Sequence, residues 1–285
     1  MSPTSQALRS PSLIEFSRHP LLAPTGSRRW TARGQNFAVT HLESTADGAA
    51  SVFSSHDELM LITLDGVTSL TGTHQTVQAP ARSICILPAS RWEVSASQTG
   101  RYVLIQSLRE DEDAPEAVNR DAYAPRDARI VPVGRPYVRL VNTGQVQVLA
   151  IDQVKAPADK ARLKMLQTST LSINWVEYEG PRDRSQLSPH SHAAFEQGSL
   201  GLEGDFLHHL RTPWGENAGL WQDDQHARLA SPSLMVVPVG LVHTSEGVGP
   251  GRHLLIDVFS PPRADFIAKT WVANAADYAP PQDAA

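Results

Sequence analysis

The chain has 285 residues, enough for two domains of ordinary size or one large β architecture, and its 41% hydrophobic residues support a buried core. A net charge of -5 provides no basic surface for phosphate backbones, so no nucleic acid partner is expected and a small-molecule substrate is favoured. The single cysteine and the lack of any apolar run as long as a membrane span predict a cytoplasmic protein without a membrane partner.

Residues 1–127 are predicted to contain an N-terminal extension (1–29) and a first β domain (30–127). The chain has 21 prolines and 18 glycines, which suits many short strands joined by turns. The apolar run 83–87 predicts one of these strands, and Cys85 within it is interpreted as a small buried core residue.

Residues 128–167 are predicted to connect the first domain to a second domain at 168–285. Alternation of apolar and polar residues at 137–141 predicts a strand in this connection, and the run 171–176 predicts the first strand of the second domain. Near the C-terminus, 253–259 predicts a buried strand that ends at two prolines and leads into a short helix and a tail.

Two motifs in the second domain predict a metal site. The first contains His190 and His192, whose side chains point to one face if the segment is extended, because side chains alternate along a strand. The second, Pro-Val-Gly-Leu-Val-His ending at His243, follows the apolar run 234–237 and is typical of a strand entering a tight turn. Three imidazoles and a nearby oxygen would form a partly open coordination sphere for a divalent first-row metal.

These motifs resemble those of the cupin superfamily, whose first motif is His-x-His, three or four residues, Glu or a substitute, six residues and Gly. With four residues after His192 the ligand position falls on Gln197, and Gly204 follows after six more residues. The second cupin motif, Pro-x-Gly-x-x-His, is matched by residues 238–243. The resemblance implies one divalent transition metal (Fe, Ni, Zn or Mn) held by His190, His192, Gln197 and His243.

The alternative oxygen ligand is Glu196. Adjacent residues on a strand face opposite sides, so only one of Glu196 and Gln197 can point inward. The spacing to the glycine favours Gln197, whereas charge favours Glu196, because an anionic oxygen binds a hard cation more tightly than an amide does. We predict Gln197 as the ligand and keep Glu196 as the alternative.

The first domain has the skeleton of the same motifs, since residues 51–66 parallel 189–204 and residues 88–93 parallel 238–243. In this alignment the four ligand positions hold Val52, Ser54, Leu59 and Glu93. Two of these side chains are apolar and cannot coordinate a metal, so the first copy is expected to be metal-free.

The resemblance and the repeat together predict an all-β bicupin. Two cupin-type barrels (double-stranded β-helix, or jelly roll) would lie in tandem, a degenerate barrel at 30–127 and a metal-binding barrel at 168–285. A single cupin after an unrelated β domain is the competing architecture. Cupins often pair through their sheets, so the resemblance also implies a homodimer.

Five further side chains are candidates for substrate binding. By alternation, one of the two histidines at 208–209 points into the barrel. The guanidinium groups would suit a carboxylate substrate, and the tryptophan and the other histidine lie on a segment that could cover the pocket. The candidates are His208, Arg211, Trp214, His226 and Arg252.

A single cupin metal with an open position can polarise a carbonyl or an enediol as a Lewis acid. The sequence therefore favours an enzyme that isomerises or cleaves a small oxygen-rich substrate bearing carboxylate, keto or enediol groups. A non-haem metal-dependent dioxygenase is an alternative, because the same ligands can bind a substrate together with dioxygen. A non-catalytic cupin that binds a small molecule is a second alternative.

Overall fold

The computed structural model describes residues 7–18, 21–22, 27–44, 50–96 and 99–281, so parts of the predicted N-terminal extension and the end of the predicted tail lie outside the described residues. The strands are β1 (Ser12–Glu15), β2 (Leu21–Leu22), β3 (Arg28–Arg33), β4 (Phe37–Ser44), β5 (Ser51–Ser54), β6 (Leu59–Thr63), β7 (Thr68–Thr71), β8 (Thr76–Ala79), β9 (Ser83–Leu87), β10 (Arg91–Ala96), β11 (Gly100–Ser107), β12 (Val138–Arg139), β13 (Gln147–Ala150), β14 (Lys164–Gln167), β15 (Ser172–Glu179), β16 (Gln197–Glu203), β17 (Asp205–Arg211), β18 (Gln225–Ala230), β19 (Ser233–Val237), β20 (Val242–Gly247), β21 (Arg252–Phe259) and β22 (Tyr278–Ala279).

Helical structure in these residues is confined to short 3-10 turns and a five-residue α-helix, α1 (Ala264–Ala268), which follows β21 as the sequence predicts. The chain is therefore almost entirely β, which confirms the predicted class. None of the helices in the described ranges has the length and apolar character needed to cross a lipid bilayer.

Apart from β12 and β22, which pair with each other, the strands form two pairs of packed antiparallel sheets, one pair in each half of the chain. In the first half, a seven-stranded sheet (β13-β9-β6-β11-β4-β3-β2) packs against a four-stranded sheet (β5-β10-β7-β8). In the second half, a six-stranded sheet (β1-β19-β16-β21-β15-β14) packs against a three-stranded sheet (β18-β17-β20). The strand orders show open sheets with free edges in both halves.

The two large sheets also pack against each other and enclose the largest buried cluster of the described residues. Period-two alternation sends one set of side chains from each sheet into this shared core. The seven-stranded sheet contributes Val39, Ile62, Ile84 and Ile105, and the six-stranded sheet contributes Ile173, Leu200, Val236 and Ile256. The two halves therefore stabilise each other through a continuous apolar layer.

The opposite faces of the large sheets differ in chemistry. In the first half, this face and the small sheet enclose an apolar core that contains Leu61, Leu104 and Cys85, which is buried as the sequence predicts. In the second half, the equivalent face carries Gln197 and Asp257, which are joined by a hydrogen bond. The interior of the second pair of sheets thus combines apolar side chains such as Leu210 and Val237 with a few polar groups, a setting typical of binding sites.

Strands cross the predicted domain boundaries. β1, from the predicted extension, pairs with β19 in the second half. Of the predicted connection, β13 pairs with β9 in the first half and β14 pairs with β15 in the second. The extension and the connection are therefore edge strands of the two large sheets as well as links between them.

The strand pairing of the first half agrees with the proposed repeat, because Val52 in β5 pairs with Glu93 in β10 as His190 pairs with His243. Val52 and Glu93 lie opposite each other and are both exposed, so neither occupies an inward ligand position. Their neighbours Phe53 and Trp92 also lie opposite each other and point into the apolar core. Because side chains alternate with period two, Val52 and Glu93 face away from the interior of the first half although they are paired as the repeat predicts.

His41 in β4 makes stability depend on pH. Its ring lies against Phe16 and Trp30, with centroid distances of 5.8 and 5.4 Å, and neither ring nitrogen has a hydrogen-bond partner. Burial, assisted by the positive charge of Arg101, lowers the pKa of His41 from 6.5 to about 3. The unfolded chain therefore gains a proton below pH 6.5 that the native chain does not bind, and stability is lost as pH falls toward 3.

Replacing His41 with phenylalanine is expected to reduce this acid sensitivity. Each pH unit in the window costs the native state up to about 1 kcal/mol through this one group. Urea unfolding at about pH 7 and about pH 5 should show a smaller fall in the free energy of unfolding for His41→Phe than for the unsubstituted chain. Equal falls in both proteins would contradict the assignment.

Candidate metal centre

Backbone pairing brings the two histidine motifs together. His190 and His243 form an antiparallel bridge in which each amide donates to the other residue's carbonyl, at 3.1 and 2.8 Å. Directly opposed residues place their side chains on the same face, and His192 follows His190 by two positions. The three imidazole centroids consequently lie 4.5 to 5.3 Å apart.

A glycine turn fixes the second motif against the first. Gly240 has φ of +83°, a left-handed conformation that glycine adopts without steric cost. In this turn the Gly240 amide donates to the carbonyl of His192 at 2.8 Å. The Pro-x-Gly-x-x-His motif therefore holds His243 next to the His-x-His segment through the backbone.

The ring nitrogens of His190, His192 and His243, here called the three-histidine group, lie within 4.8 Å of one another. Nδ1 of His190 is 2.8 Å from the carbonyl oxygen of Ser188, and Nδ1 of His243 is 3.0 Å from that of Leu241. A carbonyl only accepts, so Nδ1 carries the proton in both rings and Nε2 has a free lone pair. Backbone contacts that fix the tautomer in this way are typical of metal-binding histidines.

Gln197 directs its amide oxygen at the three-histidine group. Its Oε1 is 2.9 Å from His192 Nε2 and 3.2 Å from His243 Nε2. Its amide nitrogen donates to Ser199 Oγ at 3.0 Å and to Asp257 Oδ1 at 2.9 Å, which fixes the orientation of the amide. His243 Nε2 and Gln197 Oε1 therefore face each other as two acceptors, an arrangement that a cation between them would stabilise.

Burial keeps the inner imidazoles neutral. His192 and His243 are buried, whereas His190 is exposed. Desolvation lowers the pKa of His192 to about 4 and that of His243 to about 3. Both rings can therefore offer lone pairs near pH 7, and the donor set of three imidazoles and one amide oxygen fits a divalent transition metal.

Glu196, the alternative ligand, lies on the opposite side of the chain from Gln197. Its Oε2 accepts hydrogen bonds from the backbone amides of Gln35 and Asn36, and the carboxyl group also contacts the hydroxyl of Tyr123. Complete burial raises its pKa from 4.5 to about 7. Glu196 joins the second half of the chain to the first, and the choice of Gln197 as ligand remains a prediction that this arrangement supports.

Two residues that bear on the site were missed in the sequence. Asp257 orients the Gln197 amide, and Arg263 Nη1 lies 3.5 Å from His192 Nδ1. Arg263 is also held by two hydrogen bonds to Asp265 and lies over the ring of Phe266 at 3.9 Å. A carboxylate within the apolar run of β21 was the available signal for Asp257, whereas the contact of Arg263 depends on tertiary structure.

His208 is the predicted substrate residue that faces the interior. It is fully buried, its Nδ1 lies 2.7 Å from Ser245 Oγ, and its Nε2 has no hydrogen-bond partner. It opposes Ser245, and its neighbour Leu210 on the same face opposes His243. His208 therefore shares the inward face of the small sheet with a member of the three-histidine group.

The other four predicted substrate residues do not join the three-histidine group. Arg211 pairs with Asp224 and His226 contacts His209, both on the outward face of the small sheet. Trp214 is exposed and stacks on Trp221 with a centroid distance of 4.5 Å. Arg252 begins β21 and pairs with Glu177 and Glu203.

No protein-family model and no curated protein sequence matches this chain. Solved structures do match over nearly the whole chain, and three examples follow. AerE from Microcystis aeruginosa has a TM-score of 0.55 and 11% identity over 90% of this chain and 99% of its own. Lactobacillus farciminis oxalate decarboxylase, in a formate complex, has a TM-score of 0.58 and 13% identity over 94% and 92% of the two chains.

A deletion mutant of Bacillus subtilis oxalate decarboxylase has a TM-score of 0.60 and 12% identity over 92% of this chain and 80% of its own. At such low identities the similarity shows the fold alone. These neighbours are cupin-fold proteins, and their folds match that of this chain across both pairs of sheets. The cupin-type fold that the two histidine motifs predict is confirmed.

Proposed function

We propose that this chain is a metal-dependent bicupin enzyme. The second pair of sheets holds one divalent transition metal through His190, His192, Gln197 and His243. The enzyme isomerises or cleaves a small oxygen-rich substrate that carries carboxylate, keto or enediol groups. The first pair of sheets is the degenerate barrel, with an apolar interior that contains Phe53 and Trp92.

The convergence of acceptor atoms supports the metal most directly. The lone pairs of His190 Nε2 and His243 Nε2 are fixed by backbone contacts at Nδ1, and the Gln197 oxygen is fixed by contacts at its amide nitrogen. Acceptor atoms that converge in this way repel one another unless a cation lies between them, so the arrangement favours a bound metal ion. Two of the similar structures are oxalate decarboxylases, whose name refers to a small dicarboxylate, and this supports a substrate of that class.

The neutral donor set favours Lewis-acid chemistry on an anion. Three imidazoles and an amide leave the charge of a divalent cation uncompensated by its direct ligands, and Asp257 contacts the site only through Gln197 and Ser199. A metal held there would polarise a carbonyl or carboxylate oxygen of the substrate. The exposure of His190 provides the side from which a substrate would approach.

His208 is the residue that we assign to hydrogen bonding with the substrate. Burial lowers its pKa to about 4, so it is neutral near pH 7, and Nε2 is the ring atom without a partner. His208→Gln is expected to keep its metal and to lose about 10- to 100-fold in kcat/KM, because one buried hydrogen bond is lost. Metal analysis and steady-state kinetics test this, with Ser245→Ala as the milder control. An unchanged kcat/KM would remove His208 from the site.

The test of the function begins with metal-free protein reloaded separately with Zn, Mn, Fe or Ni. Each form is incubated with small dicarboxylic, 2-oxo and 2-hydroxy acids, and products are followed by NMR together with dissolved oxygen. We expect product to form without oxygen uptake, and we expect product formation to be lost in His243→Ala. Oxygen consumed in proportion to product would identify a dioxygenase instead. Metal-dependent binding of an acid without turnover of any compound would identify a non-catalytic binding protein.

A further inference from the structure

The outward face of the three-stranded sheet carries a second histidine cluster. His209 in β17 lies directly opposite His226 in β18 and opposite Thr244 in β20. Directly opposed residues share a face, and the inward face at this level holds Leu210 and His243. The outer histidine pair, His209 and His226, is therefore separate from the three-histidine group and plays no part in the proposed reaction.

Buried Glu246 fixes the tautomer of His209. Its side chain is 2% exposed, and Oε1 lies 3.1 Å from His209 Nε2. A carboxylate only accepts, so His209 carries its proton on Nε2 and its Nδ1 has a free lone pair. The second carboxylate oxygen lies 3.2 Å from Nε of the largely exposed Arg184. A carboxylate that orients a histidine in this way is a recurrent support for metal ligation.

The free lone pair of His209 points at the second imidazole. His209 Nδ1 and His226 Nδ1 are 2.7 Å apart, close enough to share one proton. His226 is exposed, so it can instead carry its proton on Nε2 toward solvent and free its own Nδ1. Two Nδ1 lone pairs would then converge on one point. Ligation at about 2.0–2.1 Å requires only a small separation of the rings, which the exposed His226 can provide by side-chain rotation.

Space for further ligands lies next to this pair. A cavity of about 230 Å³ is bordered by His209, His226, Arg211 and Asp224 and also by Pro189 and His243. Asp224 is paired with Arg211, so the remaining positions on a metal would be filled by water or by a small anion drawn to the guanidinium.

We propose that His209 and His226, supported by Glu246, form a second divalent-metal site on the outer face of the three-stranded sheet. Imidazole ligands suit Zn²⁺, Co²⁺, Ni²⁺ or Cu²⁺. Because only two protein ligands are present, the site is open to solvent and exchanges its metal more readily than the buried centre does.

The experiment uses Zn²⁺ as the probe and the full chain with both His190→Ala and His243→Ala, which removes the first site. Calorimetric titration should show about one Zn²⁺ bound per chain. Adding His226→Ala should weaken this binding by at least about 10-fold, and adding Glu246→Gln should weaken it by a similar factor, since loss of a supporting carboxylate costs 10- to 100-fold. His74→Ala, which removes an exposed histidine of the first half, is the matched control and should have no effect.

Circular dichroism checks that each variant is folded, and the exposed position of His226 makes His226→Ala the variant least subject to misfolding. The proposal is overturned if the protein without the first site binds no Zn²⁺, or if His74→Ala weakens binding as much as His226→Ala does. If instead the three-histidine group binds no metal, the unsubstituted chain should still bind about one Zn²⁺, and His226→Ala alone should weaken that binding.

Discussion

His243→Ala is expected to lose its bound metal while remaining folded. The substitution removes a proposed ligand that is held in place by the backbone bridge to His190 and by the contact with the Leu241 carbonyl. Removing even an indirect support of a metal ligand costs 10- to 100-fold in affinity, so removing a ligand should cost more than about 100-fold. The fold should persist, because the shared core between the two large sheets contains none of the histidines of the site.

Equilibrium dialysis followed by elemental analysis measures this loss. The comparison is made in a His226→Ala background, so that the outer histidine pair contributes nothing to the metal count. Thermal unfolding followed by circular dichroism should differ little between metal-free samples with and without His243. Retention of one tightly bound metal per chain in the variant would contradict the assignment of His243.

Gln197→Ala and Glu196→Ala are expected to fail in different ways. Gln197→Ala should lower metal affinity, because it removes the oxygen that faces His192 and His243. Glu196→Ala should keep its metal and lose about 2–4 kcal/mol of folding free energy, because buried donors of Gln35, Asn36 and Tyr123 lose their acceptor. Of these two adjacent residues, Gln197 would thus serve metal binding and Glu196 would serve the contact between the two halves.

Urea unfolding and metal dialysis on both variants give the comparison, with Glu196→Gln as a milder control that retains an acceptor oxygen. Release of metal by Glu196→Ala but not by Gln197→Ala would show that the carboxylate is the ligand and that β16 has been placed one residue out of register.

The chemistry of the site was more predictable than its surroundings. The three histidines follow from two short motifs, because a His-x-His pair and a Pro-x-Gly-x-x-His turn each determine local geometry. The difference between Glu196 and Gln197 follows from alternation on one strand, since only one of them can face the polar interior. Asp257 and Arg263 reach the site from β21 and the segment after it, and spacing in the sequence contains no information about such tertiary contacts.

The fold class was also predictable, whereas the direction in which the aligned side chains of the first half face was not. Frequent turns and short apolar runs indicate β structure, and the structure agrees. The alignment places Val52 opposite Glu93 as the structure does, but residue type alone did not show that their neighbours Phe53 and Trp92 face inward. The sequence also did not predict that an N-terminal strand joins the second half, since β1 pairs with β19 across more than 200 residues of sequence.

In the bicupin that we propose, the shared core between the two large sheets would allow the first half to lose metal ligands and still be retained. Mutations that remove ligands would act on the face toward the small sheet and would carry no penalty if the second half performed the reaction. The face of the seven-stranded sheet in the shared core covers Leu200, Val236 and Ile256 of the second half, so its shape would remain under selection. We therefore expect natural sequence variation in the first half to differ between the two faces of its large sheet. Residues in the shared core should vary little, whereas residues that face the four-stranded sheet should exchange more freely among apolar types.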